Sequence, residues 1–278
     1  METSLSAADP LQPRPPAGRA VHMTRSFASF RSIIALMLRE MSTRYGRTPG
    51  GYIWAIAEPV GALIVMAVVF SFMFRAPSLG NSFILFYASG YLPFTLFSTI
   101  SGQVQNSLSF SKPLLQYPAV SWIDAVIAKF LLNFLTGVAV FAIVLFGILQ
   151  FAEATATLDF GPIVTAIVLS ALLGLGIGSL NCLLEGLFPA WGNLWSIATR
   201  PLFIIAGVFF TYDDMPTVLQ DILWYTPWIH ITGISRSGIY PTYSADYTSI
   251  PLVMAWAMIP MFFGLLLLRR YYQDILNR

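Results

Sequence analysis

Long apolar runs alternate with short segments of a different pattern along this chain. The runs cover residues 53–74, 82–108, 123–150, 160–187, 194–212 and 247–268. The second holds Pro93 and ends in a polar tail of Ser98, Ser101, Gln103, Gln105 and Asn106, and the fifth is interrupted by Arg200-Pro201. A helix needs about 20 mostly apolar residues to cross a bilayer. In lipid every backbone polar group must find its partner inside the protein, and no alternating strand pattern of a barrel is present. The pattern predicts an all-α integral membrane protein with six transmembrane helices.

Three shorter segments read differently. Phe27, Phe30, Ile34, Met37 and Met41 recur at steps of three and four, with Arg31, Arg39 and Glu40 off the stripe. This predicts an N-terminal amphipathic interface helix over 26–42, flat on the membrane surface. Residues 107–121 contain Lys112-Pro113-Leu114-Leu115 and Tyr117-Pro118. They predict a helical turn with exposed leucines, offered to a partner, or an ordinary interhelical turn. Residues 213–240 are rich in apolar and aromatic side chains, yet Pro227 divides them into halves too short to span. A re-entrant helix pair between spans 5 and 6 is expected, with His230 and Arg236 in its second half. Residues 1–23, with Pro10, Pro13, Pro15 and Pro16, read as a flexible cytoplasmic tail, leaving 24–278 as one transmembrane domain. Ala166, Ser170, Gly174, Gly178, Cys182 and Gly186 form a small-residue stripe that lets another helix approach closely.

Composition narrows the class. The chain is 56% hydrophobic and 10% charged, against about 25% charged in soluble domains. A soluble enzyme, a disordered protein and a fibre are excluded. The net charge of +2 argues against nucleic acid as a partner. Seven arginines precede the first span and three follow the last, whereas the opposite loops carry Arg75 and Arg236 among six carboxylates. The positive-inside rule puts both termini in the cytoplasm. No Gly-rich loop ending in Gly-Lys-Ser/Thr occurs, so the chain is not expected to hydrolyse ATP. No metal-ligand spacing is found, and Cys182 is the single cysteine. The intramembrane ionisable residues Glu58, Asp124, Lys129, Glu185 and Arg200 are scattered, whereas an embedded enzyme needs a cluster. Snorkelling to the headgroups is the plain reading, and Lys129 fits it. Glu58 is expected to pair with the arginines before it.

The segment Leu38-Arg39-Glu40-Met41-Ser42-Thr43-Arg44-Tyr45-Gly46-Arg47, followed by Gly50-Gly51-Tyr52-Ile53-Trp54-Ala55-Ile56-Ala57-Glu58-Pro59, resembles the opening of type-2 ABC exporter permeases. It looks most like their capsular-polysaccharide (KpsM-like) branch. Pro113-Leu114-Leu115-Gln116-Tyr117-Pro118-Ala119-Val120 through Asp124, and Leu223-Trp224-Tyr225-Thr226-Pro227-Trp228-Ile229-His230 through Arg236, match in the same order.

The resemblance implies a homodimer of six-helix subunits in a bacterial inner membrane. It implies a cytoplasmic ABC ATPase dimer that carries ATP and Mg, with no cofactor on this chain. The implied cargo is a lipid-linked acidic polysaccharide. A periplasmic polysaccharide co-polymerase and an outer-membrane exporter are the further partners, besides membrane lipid. On this resemblance Arg31, Arg39, Glu40, Lys112, Leu114, Leu115 and Tyr117 become ATPase-coupling residues. Arg44, Arg47, Arg200 and Arg236 become contacts for carboxylates or phosphate, which a guanidinium grips bidentately. Tyr45, Tyr52, Trp54, Tyr225 and Trp228 either stack on sugar rings or form an interfacial aromatic belt. Glu58 and His230 complete the expected path. The rival cargoes are an O-antigen or teichoic-acid-like glycan. A membrane-embedded glycosyl- or acyltransferase would need the polar cluster that is missing. A secondary transporter would show inverted repeats.

Overall fold

A computed structural model describes residues 28–44, 51, 53–115, 120–151 and 157–277. The expected tail, 1–23, lies outside them. All regular structure among the described residues is helical: α1 (Ala28–Arg44), α2 (Ile53–Met73), α3 (Phe83–Gln105), α4 (Ser107–Leu115), α5 (Trp122–Phe151), α6 (Phe160–Leu187), α7 (Trp191–Ile205), α8 (Thr217–Leu223), α9 (Pro227–Ser237) and α10 (Ile250–Asn277).

Among the described residues five helical stretches are long and apolar enough to cross a membrane: α2, α3 continued by α4, α5, α6 and α10. The expected fifth span, 194–212, does not reach that length as a helix. α7 has 15 residues, or about 22 Å, against about 30 Å of hydrocarbon. Pro201 does not break it. The helix ends because Gly207 turns the chain left-handed, at φ 72°, where a β-carbon would also strike Ile229. Residues 206–208 then run buried without helical structure. The segment expected as a loop with exposed leucines is also different. α3 is interrupted at Asn106, whose amide side chain donates to Gly102 O at 2.8 Å, and α4 carries on. Leu114 and Leu115 pack against the start of α5 and the adjoining core instead of facing water.

α6 is the central helix. Gly174 and Gly178 lie against the carbonyls of Phe97 and Ser101 on α3, where an added β-carbon would sit 2.9 and 2.8 Å away. On another face Gly176 meets Ala257, and Gly186 meets Ile275, both on α10. The small stripe therefore brings helices together, as its spacing predicts. These pairings run α3, α6 and α10 parallel. Lys129 facing Gln103 and Gly137 facing Leu96 run α5 antiparallel to α3. We call proximal the end where α2 and α5 begin and where α3, α6 and α10 finish.

Gly178→Val is expected to push α3 from α6 and destabilise the protein by about 1–3 kcal/mol through overpacking. Gly61 has open space around it, so Gly61→Val should leave stability nearly unchanged. Thermal unfolding of the two purified variants checks this.

Candidate coupling node and substrate path

At the proximal end α1 lies on α5. Leu36 packs against Ala125 and Ala128, while Phe30 and Ile34 remain exposed. Lys129 Nζ donates to Glu40 Oε1 at 2.6 Å, with both side chains buried. The same ammonium reaches Gln103 Oε1 at 3.3 Å and sits 4.1 Å above the Phe110 ring of α4. The Arg39 guanidinium lies over that ring as well, at 5.1 Å. One node thus joins α1, α3, α4 and α5.

Lys129 does not snorkel, and Glu40 does not face solvent. Each supplies the opposite charge that makes burying the other tolerable. Asp124 has a local role instead. It accepts from Ser121 N–H at 3.1 Å while Ser121 Oγ accepts from Asp124 N–H at 3.2 Å, a reciprocal cap on α5. Glu185 accepts from Gln105 at 2.8 Å. Of the remaining residues expected to couple to an ATPase, Arg31 is exposed, Lys112 is half-buried and Tyr117 lies outside the described residues.

The expected path residues separate into three groups. The Arg44 side chain, Tyr45, Arg47 and Tyr52 lie outside the description, and with Arg44 and Arg47 go the expected partners of Glu58. Trp54 and Glu58 are exposed on α2 and line a cleft of about 310 Å³ with Tyr91, Thr95, Thr99, Asn133 and Thr136. A second cleft, of about 210 Å³, lies between α3 and α7 and is lined by Ser98, Ser101, Gln105, Asn106, Ser196 and Thr199. Exposed Arg200 follows Thr199 on α7. Sequence reasoning gave none of those hydroxyls and amides a role. Their signal was the polar tail of the second apolar run, and Ser196 with Thr199 one turn before Arg200.

The third group sits at the distal end, where α8 and α9 form a cap. Arg236 is 1% exposed. It donates to Phe210 O at 2.8 Å, Val208 O at 3.1 Å and Ser89 Oγ at 3.4 Å, and lies 4.4 Å over the Phe86 ring. It has the position of a packing strut, because the non-helical chain after α7 leaves carbonyls that need a donor. Trp228 is buried edge-on to Phe97. Ser249 N–H donates to His230 Nδ1 at 3.2 Å, so Nε2 carries the proton and donates to Trp224 O at 2.7 Å. Burial lowers the pKa of this imidazole, although the Trp224 bond opposes the shift. Tyr225 is exposed, and its carbonyl accepts from Trp256.

These features define a polytopic helical membrane protein with polar clefts beside α3 and a charged joint at one end. The ABC-2 type transporter family matches residues 31–240, three quarters of the chain, and the protein belongs to that family. It is 29% identical over 246 residues to the polysialic acid transport protein KpsM of Escherichia coli, covering 88% of this chain and 95% of that one. It is 25% identical over 265 residues to the capsule polysaccharide export inner-membrane protein CtrC of Neisseria meningitidis serogroup B, covering 92% and 98%. Against the capsule polysaccharide export inner-membrane protein BexB of Haemophilus influenzae it is 26% identical over 247 residues, covering 88% and 92%.

Lys129→Met is expected to cost about 3–5 kcal/mol, because it strands a buried carboxylate. The double variant Glu40→Leu/Lys129→Met should recover most of that loss. Unfolding midpoints of the two single variants and the double check the coupling.

His230 adds a pH dependence. Its folded pKa lies below the ordinary 6.5, so its contribution is complete above that value. It is lost as pH falls from there through the lowered one. Unfolding midpoints measured downward from neutral pH should fall, and His230→Asn should flatten that dependence.

Proposed function

We propose that this protein is the permease subunit of an ATP-driven exporter that carries a lipid-linked acidic capsular polysaccharide across a bacterial inner membrane. The observation that carries this reading is the family match together with one polysialic acid transport relative and two capsule polysaccharide export relatives, each aligned over nearly its whole length. In this reading the proximal end and both termini are cytoplasmic, as the arginine distribution favours. α7 and the buried chain after it make the sixth crossing, α1 rests at the membrane interface, and the α8–α9 cap is a re-entrant pair above the path.

Two copies pair along α2 and α7. α7 has no buried residue, and α2 exposes Val65, Val68, Val69 and Phe72, which is consistent with faces awaiting a second copy. A cytoplasmic ATPase dimer binds α1 and α4 and holds the ATP and Mg. Its closure moves both helices, and the Glu40–Lys129 node passes the motion to α3 and α5. α2 and α7 then part at the dimer axis and admit the glycan. Arg44, Arg47 and Arg200 meet its carboxylates or its phosphate linkage. A periplasmic co-polymerase and an outer-membrane exporter receive the chain beyond the membrane.

The test is co-expression with the ATPase encoded nearest to this chain. A stable complex of two copies of each, hydrolysing ATP, is expected. Purification of the chain alone, with no ATPase bound, overturns the reading. Within an active complex, Arg44→Glu or Arg47→Glu should lower export without lowering membrane insertion.

A further inference from the structure

The distal end of the subunit holds a pocket that shares no lining residue with the two polar clefts. It lies where α2 ends, α3 begins and the chain leaves α7, and its volume is about 520 Å³. Phe70, Phe74, Phe83, Phe209 and Phe210 line it, and Asp214 is its one charged residue. The Phe70 ring lies 5.0 Å from that of Phe209 and 6.0 Å from that of Phe74. Thr211 holds the carboxylate, donating its hydroxyl to Asp214 Oδ2 at 2.7 Å. Asp214 is exposed and makes no ion pair among the described residues.

A carboxylate beside aromatic rings is a setting for a cation. The rings attract one through their quadrupole, and a guanidinium adds planar stacking and a two-pronged grip on the carboxylate. The distal connections supply two such groups, Arg75 and Arg236, against six carboxylates. Arg236 is buried and spends its donors on Phe210 O, Val208 O and Ser89 Oγ. Arg75 is exposed two residues past the end of α2 and makes no hydrogen bond or ion pair among the described residues. It borders the pocket of its own subunit without lining it.

The pocket also lies between the two faces that the proposed pairing buries. Phe72 and Met73 at the end of α2 are exposed, and so is Ile204, which lines the pocket at the end of α7. In a two-fold pairing every contact occurs twice, with the same residues exchanged. The end of one α2 then meets the end of the other copy's α7, and the cation it brings is Arg75.

We propose that Arg75 of each copy enters this pocket of the other and pairs with Asp214 there, forming two reciprocal latches across the distal end of the seam. The proposal rests on the reading that two copies pair along α2 and α7, and it names the groups that close that seam. An acidic chain passing between the copies can displace such a latch, because its carboxylates grip the same guanidinium.

The experiment uses full-length chains with different fluorescent-protein tags, one carrying Arg75→Glu and the other Asp214→Arg. Alone, each variant sets like charges together at both latches, and its self-pairing in detergent should weaken about tenfold or more. Mixed, the two variants restore opposite charges at both latches and should pair nearly as well as the parent. A contact within one subunit cannot give that pattern. Energy transfer on dilution reads every combination.

Ser78 lines the pocket, is exposed and bonds Asp214, so Ser78→Cys gives a second variant that leaves the Asp214–Thr211 bond in place. Separate copies bearing Arg75→Cys and Ser78→Cys should be joined by a short bismaleimide. Copies bearing Arg75→Cys and Phe160→Cys should not, although Phe160 is exposed at the same end. Cys182 is buried and stays outside the reaction.

Single-variant chains that pair as well as the parent overturn the latch and leave the pocket to another cation, such as a lipid ammonium group. Weakened pairing that mixing does not restore overturns it as well. Parent copies that pair, with no link between positions 75 and 78 in the cysteine variants, reject the latch and leave the pairing standing. Parent copies that do not pair reject both the latch and the two-copy reading beneath it.

Discussion

A backbone that leaves the helix inside an apolar core must find donors for its carbonyls, and here one guanidinium supplies two of them. Arg236 reaches Phe210 O and Val208 O and is held over Phe86. That single side chain lets α7 end early and lets the chain pass into the core beneath α9. The fork geometry matters, because a lysine would offer a point charge in place of two spread donors. The distal cap, the turn at Gly207 and the close approach of α3 at Gly90 all depend on its staying in place.

The proximal end uses a different solution for a similar problem. Glu40 and Lys129 are far apart in sequence, and each is unfavourable where it sits without the other. Their contact fixes α1 to the bundle while Phe110 brings α4 to the same point. Two surface elements that a partner can reach are thereby tied to two long helices that cross the bundle. A joint of this kind fixes the relative position of the helices more narrowly than an apolar contact, because its geometry is specific.

The long apolar runs made α2, α3, α5, α6 and α10 legible, since spanning a bilayer is decided by local composition. The glycine stripe of α6 was legible too, because helical spacing alone puts Gly174 and Gly178 on one face. The Glu40–Lys129 pair was not, because hydropathy has no memory across 89 residues. The end of α7 was hidden for a related reason. Leu202 through Phe210 stay apolar whether helical or not, and only Gly207 marked the change. Arg236 and His230 looked like chemistry because charge in an apolar stretch usually is. Their partners are carbonyls and amides, which leave no trace in a sequence. Thr95, Thr99 and Thr136 escaped notice because helix periodicity alone does not tell which of their faces meet.

The shortness of α7 also has a consequence for the seam where the proposed pair of copies meets. α5 has 30 residues and α6 has 28, while α7 has 15. At about 1.5 Å per residue, α7 is about 20 Å shorter than either of them. A seam built on α7 therefore has less helical wall than any built on the long helices, and two copies that meet there have the least packed length to separate.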